Sequence, residues 1–190
     1  MIDKNTLRKV YLQKRLALSS TEFEKRNKLL VQNFSLFLKD HQFEAAHSFL
    51  SIVDKNEVDT LSLISVMKDQ GVSKVAISKS LPQGELEHYW YDDDLILQTS
   101  KWGIPEPEQG KLADIYELDM VLVPLISFDR SGHRIGYGKG YYDRFLSKIP
   151  EVLKVGVSLG PPLDQIPFSG THDIPLNICI TPFSVYYFKK

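Results

Sequence analysis

The chain has 190 residues, of which 43% are hydrophobic and 25% are charged, as in an ordinary soluble globular protein. The formal net charge of −1 gives no overall attraction to nucleic acid or to an anionic membrane. The single cysteine, Cys179, excludes an internal disulfide bond and a zinc site built from cysteines. With no apolar run of membrane-spanning length and no linker, we expect one domain, residues 1–190, of a monomeric cytoplasmic enzyme or binding protein.

The first 40 residues predict two helices. Residues 3–18 place Leu7, Val10 and Tyr11 on one face, and the basic residues around them are most simply a solvated surface. Ser19-Ser20-Thr21-Glu22 resembles a capping box that opens a second helix, which continues to about Asp40. We therefore predict an N-terminal helical hairpin packed on the rest of the domain.

A strand–helix–strand unit follows the hairpin. Ser48–Val53 predicts a strand, Asp59 or Thr60 caps a helix that ends near Gly71, and Lys74–Ser78 predicts a second strand. This order implies parallel strands, and ligands of open α/β sheets bind at the carboxyl ends of such strands. Glu57 would lie at such an end, although from this segment alone a solvated loop carboxylate is the simpler interpretation.

An irregular loop in the middle of the chain carries a tryptophan. Two prolines and a glycine in Lys101–Pro107 exclude a regular element there. Trp102 therefore either fills a gap in the core or offers a flat face to a ring-shaped ligand.

The most informative stretch is glycine-rich and follows an apolar run, Met120–Ile126, that is typical of a buried strand. Gly136, Gly138 and Gly140 alternate around Lys139, and a helix is predicted from Tyr141 onwards. Such a loop can turn backbone N–H groups towards an anion, and a helix N-terminus adds a partial positive charge. We interpret the stretch as a phosphate site, with a simple tight turn as the alternative. Asp143, just after the loop, is a candidate oxygen ligand for a metal ion.

The run Phe128–Arg144 closely resembles the glycine-rich motif of the 5-formyltetrahydrofolate cyclo-ligase family. Other family-like segments occur in the expected order along most of the chain: Lys4–Arg8, Glu57–Thr60, Trp102–Pro107, His172-Asp173 and Thr181-Pro182. The resemblance implies an α/β fold, a single three-layer domain with a mainly parallel central sheet and helices on both faces. It also implies cyclisation of 5-formyltetrahydrofolate to 5,10-methenyltetrahydrofolate with ATP and Mg²⁺, releasing ADP and phosphate.

The resemblance also implies roles for individual residues. Lys139 and Arg134 would be catalytic, stabilising the phosphoryl group in transfer, and Asp143 and Asp173 would hold Mg²⁺. Glu57 would accept hydrogen bonds from the pterin, between apolar walls at Leu50 and Trp102. The ATP-binding residues would be Lys4, Asn5, Thr6, Leu7, Arg8, Arg134, Ile135, Gly136, Tyr137, Gly138, Lys139, Gly140, Tyr141 and Tyr142. The remaining folate-binding residues would be Arg8, Tyr137, Gly138, Lys139, Gly140 and Tyr141.

One departure from the family pattern bears on this assignment. Tyr137 occupies a position that is arginine in some members, so a phosphate that needs a cation there would depend on another residue, and we expect Arg134. Two other classes of function stay open from the residues alone. One is a non-catalytic nucleotide-binding protein, and the other is a sugar-phosphate isomerase or acyl-CoA transferase of similar architecture.

Overall fold

The computed structural model describes residues 3–100, 103, 105–167 and 170–188. A seven-stranded sheet forms its centre, in the order β11-β10-β9-β6-β1-β2-β3. Its strands are β1 (Ala45–His47), β2 (Lys74–Ser80), β3 (Leu86–Trp90), β6 (Met120–Val123), β9 (Leu153–Val157), β10 (Ile178–Ile180) and β11 (Val185–Tyr187). Two small sheets pair β4 (Ile96–Thr99) with β5 (Pro105–Gln109), and β7 (Ser127–Phe128) with β8 (Arg134–Ile135). The helices are α1 (Lys4–Leu16), α2 (Ser20–Lys39), α3 (Thr60–Asp69) and α4 (Tyr141–Lys148).

The sheet is mainly parallel, as the sequence predicted. β10, β9, β6, β1 and β2 run parallel, and antiparallel β11 and β3 flank them. From the centre, β1 leads through α3 to β2 on one side, whereas β6 leads through α4 to β9 on the other. The strand order therefore reverses between β1 and β6, and a crevice at the carboxyl ends of these strands follows from that reversal.

Helices cover both faces of the sheet. On one face, α2 and α3 pack apolar side chains such as Phe34 and Met67 against the strands. On the other, α4 contributes Phe145 and Leu146 to a second core. Crossovers of the same hand that leave the centre in opposite directions place their helices on opposite faces, which explains this separation of α3 from α4.

The predicted helix boundaries are close to those observed. Ser19 caps α2 by accepting a hydrogen bond from the Glu22 N–H (3.2 Å), and Asp59 caps α3 by accepting one from the Ser62 N–H (3.2 Å). None of the helices in the described part of the chain combines the length and apolar character needed to cross a bilayer.

The prediction of the first strand was wrong in position. The strand is Ala45–His47 rather than Ser48–Val53, although the Ser48 N–H still donates to the Ala76 carbonyl (2.8 Å). Beyond it the chain leaves the sheet, because the Ser51 hydroxyl bonds the Val58 carbonyl (2.5 Å) and the Thr60 hydroxyl (2.8 Å). Polar contacts within the loop thus replace pairing with a neighbouring strand, and they carry Phe49–Ile52 to the carboxyl edge of the sheet.

Helix α1 is attached differently from the other helices. Each of its 13 residues is exposed or half-buried, and it lies against β8 and the 3₁₀ turn Val53–Lys55. By contrast, α2 buries Leu30, Phe34, Phe37 and Leu38. Polar contacts, together with half-buried apolar side chains, therefore hold α1 across the edge of the sheet where β1 and β6 end.

Two histidines are buried under α4. The rings of His47 and His88 lie 5.1 Å apart and pack on Phe145. Among the described residues, neither His47 ring nitrogen nor Nδ1 of His88 has a hydrogen-bond partner. Burial lowers the pKa of both, to about 4 for His88, where the charge of Lys148 lowers it further and that of Glu87 opposes this. Both rings are therefore neutral near pH 7.

We expect acid to destabilise the fold partly through His88. Its pKa in the folded state lies below the ordinary value of 6.5, so its contribution to stability is present above pH 6.5 and is lost as the pH falls towards 4. His88→Leu should reduce the fall in the free energy of unfolding across this range by roughly 2–3 kcal/mol, measured by urea denaturation. The matched control is His172→Gln, at an exposed histidine, which should keep the wild-type slope. Equal slopes for wild type and His88→Leu would contradict the expectation.

Candidate active site

A cavity of about 360 Å³ opens where β1 and β6 end. The loop after β1 contributes Leu50 and Glu57, and the chain after β6 contributes Pro124 and the glycine loop. The start of α1 contributes Lys4 and Arg8. Most residues that the sequence nominated therefore line one cavity: Lys4, Arg8, Leu50, Glu57, Arg134, Ile135, Gly136, Tyr137, Gly138, Lys139, Gly140, Tyr141, Tyr142, Asp143 and Asp173.

Three nominated residues of α1 are not on that wall. Asn5 instead accepts a hydrogen bond from the Arg8 guanidinium (2.5 Å), so it orients a residue that does line the cavity. The Thr6 N–H donates to the capping carboxylate of Asp3 (2.7 Å), and Leu7 is half-buried on α1. Trp102 lies outside the described residues.

The glycine loop has a conformation that favours glycine. The φ angles of Gly138 (+87°) and Gly140 (+72°) fall in the left-handed region, and α4 begins immediately after Gly140. A Cβ at Gly138 would lie 2.9 Å from Cζ of Arg8, and one at Gly140 would lie 2.9 Å from Nη1 of Arg144. Glycine at these two positions thus lets two guanidinium groups approach the backbone of the loop.

Cations and carboxylates alternate along the cavity wall. Lys4 forms an ion pair with Asp173, and Nη2 of Arg134 donates to Oδ1 of Asp143 (2.7 Å). Arg134 also donates to the Ile174 carbonyl, and the Ile174 N–H donates to Asp143 (3.1 Å). Burial by itself raises the pKa of Asp173, but hydrogen bonds from Lys4 and Gly170 outweigh it and hold that pKa below its ordinary value. Asp143 is thus bonded to the backbone of Ile174, the residue that follows Asp173 in the chain.

The same two aspartates are the oxygen donors that suit a magnesium ion. Within the described residues, no group of three or more His, Cys, Asp or Glu side chains is close enough to hold a metal. A site with two carboxylates beside an anion loop fits an ion that keeps several waters and takes other ligands from phosphate oxygens. Lys4 and Arg134 already pair with these carboxylates, so an ion there would share them with the two cations.

Glu57, which also lines the cavity, is buried, with 5% of its surface exposed. Its Oε2 accepts from the Ile52 N–H (2.7 Å), and its Oε1 accepts from the Tyr137 hydroxyl (2.6 Å). Burial and the charge of Glu57 raise the pKa of Tyr137 far above its ordinary value, against the opposing effect of Arg15. The phenol therefore stays protonated and donates a hydrogen bond to Glu57.

Sequence reasoning missed Arg15. Its Nη2 donates to the Tyr137 hydroxyl (2.6 Å), whereas Arg134, the expected compensating cation, is bonded to Asp143 and Ile174. The spacing of Lys4, Arg8 and Arg15 puts them on one face of α1, which was the only signal in the sequence that Arg15 acts with the other two. The solvated-surface interpretation is thus incorrect for Arg15, whereas Lys4 and Arg8, which the family resemblance placed at the ATP site, do line the cavity.

The fold and the cavity define an α/β protein with a basic, glycine-rich anion site at the point where the strand order of a mainly parallel sheet reverses. The sequence identifies the class more closely. The model of the 5-formyltetrahydrofolate cyclo-ligase family matches residues 1–182. The chain belongs to this family, whose members are ligases of folate one-carbon metabolism.

Relatives agree in sequence and in structure. A probable 5-formyltetrahydrofolate cyclo-ligase from Schizosaccharomyces pombe is 34% identical over 148 residues, 69% of this chain and 72% of that protein. The cyclo-ligase of Mycoplasma pneumoniae is 27% identical over 83% of this chain and 85% of its own length. The solved structure of Aquifex aeolicus 5,10-methenyltetrahydrofolate synthetase matches with a TM-score of 0.78 and 30% identity, covering 98% of this chain and 93% of that one.

We expect the glycine loop to tolerate an added methyl group at Gly136 but not at Gly138. Gly138→Ala should lower the free energy of unfolding by about 1–2 kcal/mol, because its positive φ disfavours a Cβ and the methyl group would meet Arg8. Gly136→Ala is the control, since a Cβ there meets nothing within 4 Å and φ is not positive, and its effect should stay within about 0.5 kcal/mol. Equal losses in chemical denaturation would count against this account.

Proposed function

We propose that the protein converts 5-formyltetrahydrofolate and ATP to 5,10-methenyltetrahydrofolate, ADP and phosphate in the presence of Mg²⁺. Membership of the cyclo-ligase family supports the reaction. The observation that carries the proposal to this chain is the meeting of two kinds of surface in one cavity. A basic glycine loop with two aspartates faces a buried carboxylate and an apolar wall at Leu50.

The chemistry explains the need for ATP. A formamide oxygen is a poor leaving group, so the formyl carbon resists attack by the N10 amine. Attack of the formyl oxygen on the γ-phosphorus releases ADP and leaves the oxygen as a phosphate ester on a carbon doubly bonded to N5. The N10 lone pair then attacks that carbon, phosphate departs with the C–O bonding electrons, and N10 loses its proton as the five-membered ring closes.

The cationic residues of the cavity would serve the phosphoryl transfer. In this proposal, the glycine loop from Arg134 to Tyr142 cradles the phosphates, and Lys4 and Arg8 approach them from α1. Lys139 and Arg134 stabilise the charge that moves to the leaving oxygen and to the transferred group. The exposed position of Lys139 within the loop suits a residue that reaches for a ligand rather than one that supports the core.

Asp143 and Asp173 would hold the magnesium ion beside the loop, since both line the cavity and Asp143 is bonded to the backbone of Ile174, next to Asp173 in the chain. Bound there, Mg²⁺ would neutralise charge on the phosphate oxygens. The residues of the chain hold these carboxylates in place, since Lys4 pairs with Asp173 and Arg134 pairs with Asp143.

The folate would bind on the Glu57 side. A carboxylate has about four acceptor positions. In Glu57 one position on each oxygen accepts from the protein, which leaves one on each for the amino group and ring N–H of a pterin. Leu50 supplies an apolar wall there, and Trp102 is proposed to supply another. Gly136 to Tyr141 would border the formyl group.

We also propose that residues 1–190 act as one cyclo-ligase domain, as a monomer in the cytoplasm and with no nucleic-acid or membrane partner.

Mixing protein, ATP, Mg²⁺ and 5-formyltetrahydrofolate tests the function through the growing absorbance of methenyltetrahydrofolate. Omission of ATP or chelation of Mg²⁺ should abolish the signal. If no ATP-dependent product forms, the cyclo-ligase proposal is rejected in favour of a non-catalytic nucleotide-binding protein or of an isomerase or transferase.

Lys139→Ala should lower turnover by about 100-fold while changing the free energy of unfolding by less than about 0.5 kcal/mol, because its side chain is exposed in a polar loop. Initial rates and urea denaturation measure the two quantities. Lys28→Ala removes an exposed lysine of α2 away from the cavity, and it should change neither. A parallel loss of stability and turnover in Lys139→Ala would argue for a structural role.

Asp143→Asn should raise the Mg²⁺ concentration needed for half-maximal rate by about tenfold or more, because the amide keeps an acceptor for Arg134 and Ile174 but loses the ligand charge. A magnesium titration of the initial rate checks this. Asp164→Asn, at an exposed aspartate paired with Arg130, is the matched control and should leave the titration unchanged. An unchanged midpoint in Asp143→Asn would remove Asp143 from the metal site.

A further inference from the structure

Arg15 joins three separate parts of the chain. Its Nε donates to the Lys55 carbonyl (2.8 Å), in the turn before Glu57, and its Nη1 donates to the Leu125 carbonyl (3.2 Å), just after β6. Its Nη2 donates to the Tyr137 hydroxyl (2.6 Å), in the glycine loop. One guanidinium thus connects α1 to the loops that follow both central strands.

The two hydrogen bonds that link Arg15 through Tyr137 to Glu57 can be formed in only one donor-to-acceptor direction. A guanidinium has no acceptor, so Arg15 must donate to the oxygen of Tyr137. The phenol then has its single proton available for Oε1 of Glu57, 2.6 Å away. Because burial keeps the phenol protonated, the chain Arg15 to Tyr137 to Glu57 sets the position of the Glu57 carboxylate.

Charge gives Arg15 a second effect on Glu57. A buried carboxylate is costly unless hydrogen bonds and an opposite charge compensate it. The Ile52 N–H and the Tyr137 hydroxyl are neutral donors to Glu57, and the guanidinium of Arg15 stands directly behind that hydroxyl. A positive charge therefore lies one hydroxyl group away from the carboxylate.

We propose that Arg15 is a positioning residue for folate recognition. Acting through Tyr137, it holds Glu57 with one acceptor position on each oxygen directed to the pterin, and it balances the charge of the carboxylate. The inference rests on the proposed function, since it concerns how Glu57 receives the folate. Arg15 itself touches neither substrate in this scheme.

Steady-state kinetics with each substrate varied separately tests the proposal. Arg15→Leu should raise the KM for 5-formyltetrahydrofolate by about tenfold or more, the size expected for a lost charge-assisted hydrogen bond, and should leave the KM for ATP within about twofold. Tyr137→Phe should raise the folate KM similarly. The double variant should be no worse than the poorer single variant, because both changes interrupt one chain of contacts.

Lys14→Leu is the matched control. Lys14 neighbours Arg15 on α1, and its Nζ lies 4.5 Å from the centre of the Tyr11 ring. Its loss therefore tests whether removing a different cation of the same helix also raises the folate KM. It should leave the folate KM unchanged. Additive losses in the double variant, equal rises in both KM values for Arg15→Leu, or an unchanged folate KM would each overturn the proposal.

Two further measurements keep the outcome unambiguous. If Arg15→Leu does not fold, Arg15→Lys replaces it; lysine keeps the charge but cannot make three bonds from a planar group, so the folate KM should rise less but measurably. Wild-type turnover is measured first, and its absence would reject the proposed function and this inference together. Wild-type turnover with an unchanged folate KM in the Arg15 variants would reject the inference alone.

Discussion

Helix α1 is held across the carboxyl edge of the sheet by polar side chains, and the site depends on that attachment. Lys4 reaches Asp173, Arg8 reaches the Gly136 carbonyl (2.9 Å), and Arg15 reaches Lys55, Leu125 and Tyr137. Because every residue of α1 is exposed or half-buried, apolar burial contributes less to fixing it than to fixing α2. The contacts that place the helix are therefore also the ones that shape the cavity. Lys4 and Arg8, which are proposed to bind ATP, already bond Asp173 and Gly136 within the protein.

The reversal of strand order explains why two chemically different surfaces meet. The loop after β1 carries Leu50 and Glu57, and the chain after β6 carries the glycine loop. Neighbouring parallel strands end at the same edge, so these segments become adjacent although about 80 residues separate Glu57 from Tyr137. One surface is buried and carries an acceptor carboxylate, whereas the other is basic and rich in glycine. This combination suits a reaction in which a folate and a phosphoryl donor must meet.

Local patterns predicted much of this. The glycine loop, the start of α4 at Tyr141 and the caps at Ser19 and Asp59 depend on neighbours in sequence, so their residues could be assigned directly. The predicted position of the first strand was wrong because Ser48–Val53 is as apolar as a strand. The Ser51 hydroxyl, however, donates to the Val58 carbonyl and is bonded to the Thr60 hydroxyl, and these contacts draw the segment out of the sheet. Arg15 was assigned to solvent because nothing near it in sequence reveals the carbonyl and hydroxyl groups that it meets.

By itself, the sequence determined the α/β class, the mainly parallel sheet, the glycine loop with its lysine and aspartate, and the family. These follow from apolar periodicity, from backbone angles that favour glycine, and from a motif read within a few residues. The tertiary structure alone decided which cation stands beside Tyr137, which lysine pairs with Asp173, and which hydroxyl holds Glu57. These partners are far apart along the chain, and long polar side chains choose among acceptors only when the fold has brought those acceptors within hydrogen-bonding distance.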